Sequence, residues 1–297
     1  MSKLKDTLKD LCATFLSIVL FICIISLSSI LVFRNLTTTE NMKQIVKDTD
    51  FTKEIKNRTE TKQMNDIFRD IYTVADKYHI PEQFIDSVLN DATTKDFLGT
   101  VASNVIEETL TGKDEKILTE KDLNQLLENN MDHFQEVSKI QLNEEQQQNF
   151  LNLAKEHSAT IIEILPTTTE LQSYLSPSMI DGMKLLNSNQ LLYTFAGIII
   201  ISSILILCLK WKEKIWLLYF ATPLFFSSII LVMLACASPT ILSILLQSSN
   251  DLLYLFVDQL ALHLKEYLTL IGIILFICSI LIYILYFIGK KFLSSKQ

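Results

Sequence analysis

LLYTFAGIIIISSILILCL (residues 191–209), KWKEK (210–214) and IWLLYFATPLFFSSIILVMLACA (215–237) follow one another without a break. The two outer runs hold no Asp, Glu, Lys, Arg or His, and each is close to the ~20 helical residues that cross ~30 Å of hydrocarbon. In lipid a helix is the element that satisfies its own backbone, so each run reads as a spanning helix. The five residues between them allow only a tight return, which makes the pair a hairpin with Lys210, Lys212 and Lys214 at its tip. Lysines in short loops stay on the cytoplasmic side, and Trp211 and Trp216 flank the turn where amphipathic rings favour the interface.

Two further charge-free runs, 11–33 and 267–289, complete a set of four. The fold expected is all-α: a four-helix multi-pass membrane protein with a helical-bundle extracytoplasmic domain between its first and second spans. The divisions are a cytoplasmic N-terminus (1–10), a first span (11–33), an extracytoplasmic helical domain (34–190) and a second span (191–209). A cytoplasmic turn (210–214), a third span (215–237), an extracytoplasmic amphipathic helix (238–266), a fourth span (267–289) and a cytoplasmic tail (290–297) follow.

Three separate segments agree on this orientation. Lys3, Lys5 and Lys9 precede the first span, Lys210, Lys212 and Lys214 occupy the turn, and Lys290, Lys291 and Lys296 follow the fourth span. An even number of crossings separates each from the next, so all nine lysines share one side. The membrane-interface residues expected are therefore Lys210, Trp211, Lys212, Lys214, Trp216, Lys290 and Lys291.

Two competing topologies are disfavoured. A cleaved signal peptide would suit the basic 1–10 segment, but the 23-residue apolar run exceeds the usual length. A lipoprotein site at Cys23 is opposed by the bulky Ile22. A fifth crossing through 241–264 would bury Gln247, Asn250, Asp251, Asp258 and His263 in lipid at several kcal/mol per charge. With leucines on the other sector, that stretch reads instead as an amphipathic helix on the outer face.

Charge is divided unequally. Segment 34–190 carries 16 Lys or Arg against 27 Asp or Glu, a net of −11, and the remainder carries 10 against 6, a net of +4. Such acidity excludes nucleic acid and anionic headgroups as the main partner of this segment and suits a basic protein or cations. All five cysteines lie in or beside the apolar runs, so the segment has neither a disulfide framework nor a thiolate metal site.

Helical period dominates 34–190, with Gly99, Gly112 and Gly182 as its glycines. Thr119 with Asp122 is a weak N-cap pair opening 120–139. Asn143 with Gln146 resembles a capping box opening a helix that Pro166 ends. Pro81 suits the first turn of a helix through Phe84, Ile85 and Val88, and 96–110 is another, stopped near Gly112. One or two helices fill 37–78, and 179–186 leads from Pro177 into the second span.

No constellation reaches a catalytic signature. His79, His133, His157 and His263 have no metal-ligand spacing, the acid pairs Glu107-Glu108, Asp114-Glu115 and Glu144-Glu145 point apart on helices, and no phosphate loop occurs. The spans lack the ionisable residues that mark ion pathways, and Pro223 stands out as a potential kink. No catalytic residue, cofactor or metal ligand is assigned. The partners expected are membrane lipid and a protein. The function expected is that of a non-enzymatic protein of a bacterial-type cell membrane whose acidic ectodomain binds a protein or senses envelope conditions. One alternative is a permease-like subunit of a transport or mechanotransmission complex, since the layout is similar to that of some permeases that pair with ABC ATPases. Another is an enzyme using Asp251, Asp258, His263 and Glu266 at the lipid surface.

Overall fold

Uninterrupted apolar sequence makes long helices, and in the computed structural model the first of them, α1, runs Ser2–Leu36. The structure describes residues 2–53, 66–111, 119–164, 177–211, 215–246 and 257–294. Every regular element among them is an α-helix: α2 (Thr39–Asp48), α3 (Asp66–Lys77), α4 (Glu82–Asn90), α5 (Ala92–Thr111), α6 (Glu120–Asn129), α7 (Met131–Ser138), α8 (Glu144–Ile164), α9 (Pro177–Asn187), α10 (Asn189–Lys210), α11 (Trp216–Leu246) and α12 (Val257–Ser294). Helices α1, α10, α11 and α12 are long and apolar enough to cross a membrane. The chain is thus a multi-pass membrane protein.

Two compact units divide the chain. One comprises Met1–Asn35, Met183–Ile241 and Ala261–Gln297, and the other comprises Leu36–Gly182 and Leu242–Leu260.

In the spanning unit, α11 is tied to both α1 and α12. Ser279 Oγ donates to the Ala221 carbonyl at 2.9 Å, and the hydroxyls of Thr222 and Tyr283 lie 3.2 Å apart. Backbones come close at Gly272, where a Cβ would stand 2.9 Å from Val232 Cγ2 and 3.3 Å from the Ser228 carbonyl. Small residues and interhelical hydroxyl bonds are the usual cement where lipid removes the hydrophobic drive between helices.

The middle of the amphipathic helix expected over 238–266, residues 247–256, lies outside the described residues. Residues 238–246 continue α11 and 257–266 open α12, so the described ends of this segment extend the spanning helices. Helix α11 passes through Pro239 because the Ala235 carbonyl, which loses its i+4 amide there, accepts the Ser238 hydroxyl at 2.9 Å.

The second unit holds two packed assemblies. Helices α2 and α5 lie face to face, with Met42, Ile45, Val46 and Val101 buried. Gly99 permits the approach, since a Cβ there would stand 2.9 Å from Lys43 Cα. The turn after α2 is clipped by Asn90, whose Oδ1 accepts the Phe51 amide at 3.1 Å and whose Nδ2 donates to Thr52 Oγ1. Helices α3, α4, α6, α7 and α8 form the other assembly around Phe84 and Phe134, both 0% exposed.

Local chemistry explains the boundaries. The Asn143–Gln146 box is formed reciprocally, with the Gln146 amide on Asn143 Oδ1 at 2.8 Å and the Asn143 amide on Gln146 Oε1 at 3.1 Å. Asp122 accepts both the amide and the hydroxyl of Thr119. The single helix expected over 120–139 is two, broken at Asn130, whose side chain takes the Leu126 carbonyl at 2.8 Å. Helix α5 starts four residues before the expected 96, because Asp91 caps it by accepting the Thr93 amide at 2.8 Å. The stops expected at Gly112 and Pro166 lie outside the described residues.

Candidate functional site

The basic segments meet at one end of the spanning unit. Lys210, the last residue of α10, is 2% exposed, and its Nζ sits 2.5 Å from Asp10 Oδ1 near the start of α1. That contact sets the N-terminal end of α1 beside the C-terminal end of α10. Tyr283 meets Thr222, six residues after the start of α11, so Lys290, seven residues further along α12, rises roughly 10 Å toward the level of Trp216. Trp211 and Trp216 stack there with ring centroids 6.0 Å apart and planes 9° apart, and Trp216 meets Phe220 edge-on. Lys290 and Lys291 are exposed near the end of α12, and Lys212 and Lys214 lie outside the described residues. The opposite end of the unit is closed by Arg34, whose Nη2 donates to Asn189 Oδ1 at 2.9 Å.

One bond near the basic end follows from proline chemistry. Pro223 has no amide proton, so the Tyr219 carbonyl four residues earlier loses its helical donor. Ser17 Oγ of α1 supplies the replacement at 3.0 Å. The bond lies on a groove of about 450 Å³ between α1 and α11, lined by Thr14, Ser17, Phe21, Tyr219, Pro223 and Phe226 among others. Ser17→Ala is expected to cost about 1 kcal/mol in detergent-solubilised protein. In a Pro223→Ala background, where the introduced alanine brings an amide proton that serves the Tyr219 carbonyl, the same change is expected to cost almost nothing. Unfolding midpoints of the four-variant cycle check this, and an undiminished cost in the Pro223→Ala background contradicts it.

Titratable groups of the second unit are engaged in holding helices together. Asp91, its side chain 4% exposed, lies 2.9 Å from His133 Nε2 and so joins the start of α5 to α7. Burial acts to raise its pKa, but the Thr93 amide and hydroxyl and the His133 ring outweigh burial and hold the carboxyl below its ordinary value. A depressed pKa gives stability that is complete above the unfolded value and lost as pH falls through the folded one, so the window lies below about pH 4. Asp91→Asn keeps a capping oxygen and loses the charge. It is expected to cost about 1 kcal/mol at neutral pH, with the difference from wild type shrinking below about pH 4 in unfolding midpoints measured across pH.

Tyr72 donates to Asp86 Oδ1 at 2.8 Å, and burial, then that carboxylate, pushes the phenol far above its ordinary value. Lys95 bonds the Lys47 carbonyl at 3.1 Å, and burial lowers its ammonium pKa against the opposing pull of Asp50 and Asp48.

His79 has a backbone role. The Ile80 amide bonds the Ala75 carbonyl at 2.8 Å and the His79 amide bonds the Asp76 carbonyl at 2.9 Å. This paired pattern ends α3 with a left-handed residue, and His79 has φ 56°. Glycine adopts that conformation without a Cβ penalty, so His79→Gly is expected to raise stability by about 1 kcal/mol. A drop in the unfolding midpoint would contradict the assignment.

Of the remaining sequence candidates, Glu107, Glu144 and Glu145 are exposed on their helices, Asp258 and Glu266 are exposed on α12, and His263 is half-buried there. Asp114, Glu115 and Asp251 lie outside the described residues. No group of three or more His, Cys, Asp or Glu among the described residues is placed to hold a metal ion. The Asp10–Lys210, Asp91–His133 and Ser17–Tyr219 contacts were not anticipated from sequence. Only the last carried a signal, a serine on one span and a proline on another. Comparison with protein-family models, curated proteins and solved structures finds no match to this chain.

Proposed function

We propose that the chain resides in the cell membrane of a bacterial-type cell with both termini in the cytoplasm and residues 34–190 outside. Its acidic helical domain acts there without catalysis, as a module that binds a basic protein or responds to envelope conditions. The separation of charge carries this reading: a net of −11 over 34–190 against a net of +4 elsewhere. The end of the spanning unit where α1 begins and α10 and α12 end carries lysines of all three basic segments, as a cytoplasmic face requires. Most of the two segments that this topology leaves outside, 34–190 and 238–266, falls in one compact unit, Leu36–Gly182 with Leu242–Leu260.

The use of Asp91, His133, His79 and Tyr72 to end and join helices favours binding over catalysis, since each is committed to a structural bond. An acidic surface of this size attracts and orients a basic partner over distances of about a Debye length.

Cross-linking in native membranes followed by mass spectrometry tests the proposal. Cross-links from lysines of 34–190 to an exported or envelope protein with a basic surface support it. Recovery of a cytoplasmic ATPase linked to the 210–214 turn overturns it in favour of a transport subunit.

A further inference from the structure

Helix α1 has two faces. Ala13 and Leu20 are 0% and 2% exposed inside the chain's own bundle, whereas Leu4, Leu8, Leu11, Phe15, Ile18 and Ile22 are all between 53% and 78% exposed. These six follow one another at alternating intervals of four and three, the a and d positions of a heptad. In the same register, Val32 is 3% exposed, so the exposed seam ends where α1 turns into its own bundle.

Lipid covers part of this stripe and leaves its beginning uncovered. Residue 22 is the middle of the charge-free run 11–33, and a rise of 1.5 Å per residue places Leu8 roughly 21 Å and Leu4 roughly 27 Å from it along the axis. Hydrocarbon extends roughly 15 Å from the bilayer centre and headgroups roughly 22 Å. Leu8 therefore stands at the outer limit of the headgroups and Leu4 beyond it, both on one continuous helix. In this stretch Lys3, Lys5, Asp6, Lys9 and Asp10 all avoid the a and d positions. Water would surround two leucines that the sequence keeps in register with the lipid-level seam.

We propose that this stripe is the seam of a homodimer, covered by α1 of a second copy. Two copies inserted the same way bring their α1 helices together in parallel, so each a or d residue meets its own counterpart. Charge permits this: the g-to-e pairs across the seam are Thr7 with Cys12 and Thr14 with Val19, and none sets like charges together.

The test uses the full-length chain in native membranes, with its five cysteines changed to alanine and one cysteine returned at a time. On oxidation, Leu4→Cys, Leu8→Cys and Leu11→Cys are expected to form disulfide dimers at least several-fold more than Asp6→Cys and Lys9→Cys, at equal membrane levels. Equal cross-linking at all five positions would reduce the contact to random collision and overturn the proposal. Absence of dimers at every seam position, with Leu4→Cys and Leu8→Cys shielded from a water-soluble maleimide, would overturn it and assign the stripe to the membrane surface. In the chain with its native cysteines, Leu8→Glu is expected to convert the solubilised dimer to monomer by light scattering, and an unchanged mass contradicts the seam.

Discussion

Phe84→Ala is expected to cost about 3–5 kcal/mol, the largest single loss in the second unit. Phe84 is 0% exposed and meets Phe150 edge-on with centroids 5.3 Å apart at 89°. It sits on α4 and belongs to a core that includes Ile80, Val88, Leu127 and Phe134. Removing the ring forfeits its transfer from water and leaves a cavity that helices from several directions would have to close together. Against a typical total of about 5–15 kcal/mol, a loss of that size leaves this assembly marginal. Amide hydrogen exchange on the full-length protein in detergent checks it. Protection is expected to fall in α4, α6 and α7 and to persist in α10 and α11. Unchanged protection at Val88 and Leu127 would show that Phe84 is not the keystone of that core.

Gly99→Leu is expected to cost about 3 kcal/mol and to act on the other assembly. A Cβ at this position stands 2.9 Å from Lys43 Cα, which is backbone and cannot rotate aside, so α2 and α5 must separate. The loss includes the Ser103–Thr39 hydroxyl bond at 2.9 Å and the Lys43–Asp96 contact at 3.4 Å, both made across the same pair of helices. Gly182 is the control. It lies inside α9 with nothing within 4 Å of an added Cβ, so Gly182→Ala is expected to stabilise by up to about 1 kcal/mol. Equal unfolding midpoints for the two variants would contradict the close approach of α2 and α5.

The spanning helices were legible because charge is forbidden at that depth, so four runs without an ionisable residue announce themselves. The Asn143–Gln146 box was legible because both partners lie within one turn of sequence. What failed depends on groups distant in sequence or on a local rescue. The third span was expected to end at 237, yet α11 runs on to Leu246 because Ser238 takes the carbonyl that Pro239 orphans. Asn130 splits 120–139 through its own side-chain bond, although the apolar stripe runs on across the break. Lysines 210, 212 and 214 look equivalent in sequence, yet Lys210 is buried against Asp10, 200 residues away, and no periodicity encodes that pairing. Likewise His79 and His133 could be weighed as chemistry until φ at one and the Asp91 contact at the other showed backbone and packing roles.

The placement of the acidic domain outside and the lysine-bearing ends inside is tested most directly by cysteine accessibility in intact cells. In a chain whose native cysteines are replaced by alanine, Lys139→Cys, exposed at the end of α7, is predicted to react with a membrane-impermeant maleimide. Lys296→Cys is predicted to react only after the membrane is opened. Labelling of Lys296→Cys in intact cells, with Lys139→Cys protected, would contradict the orientation and the function proposed from it.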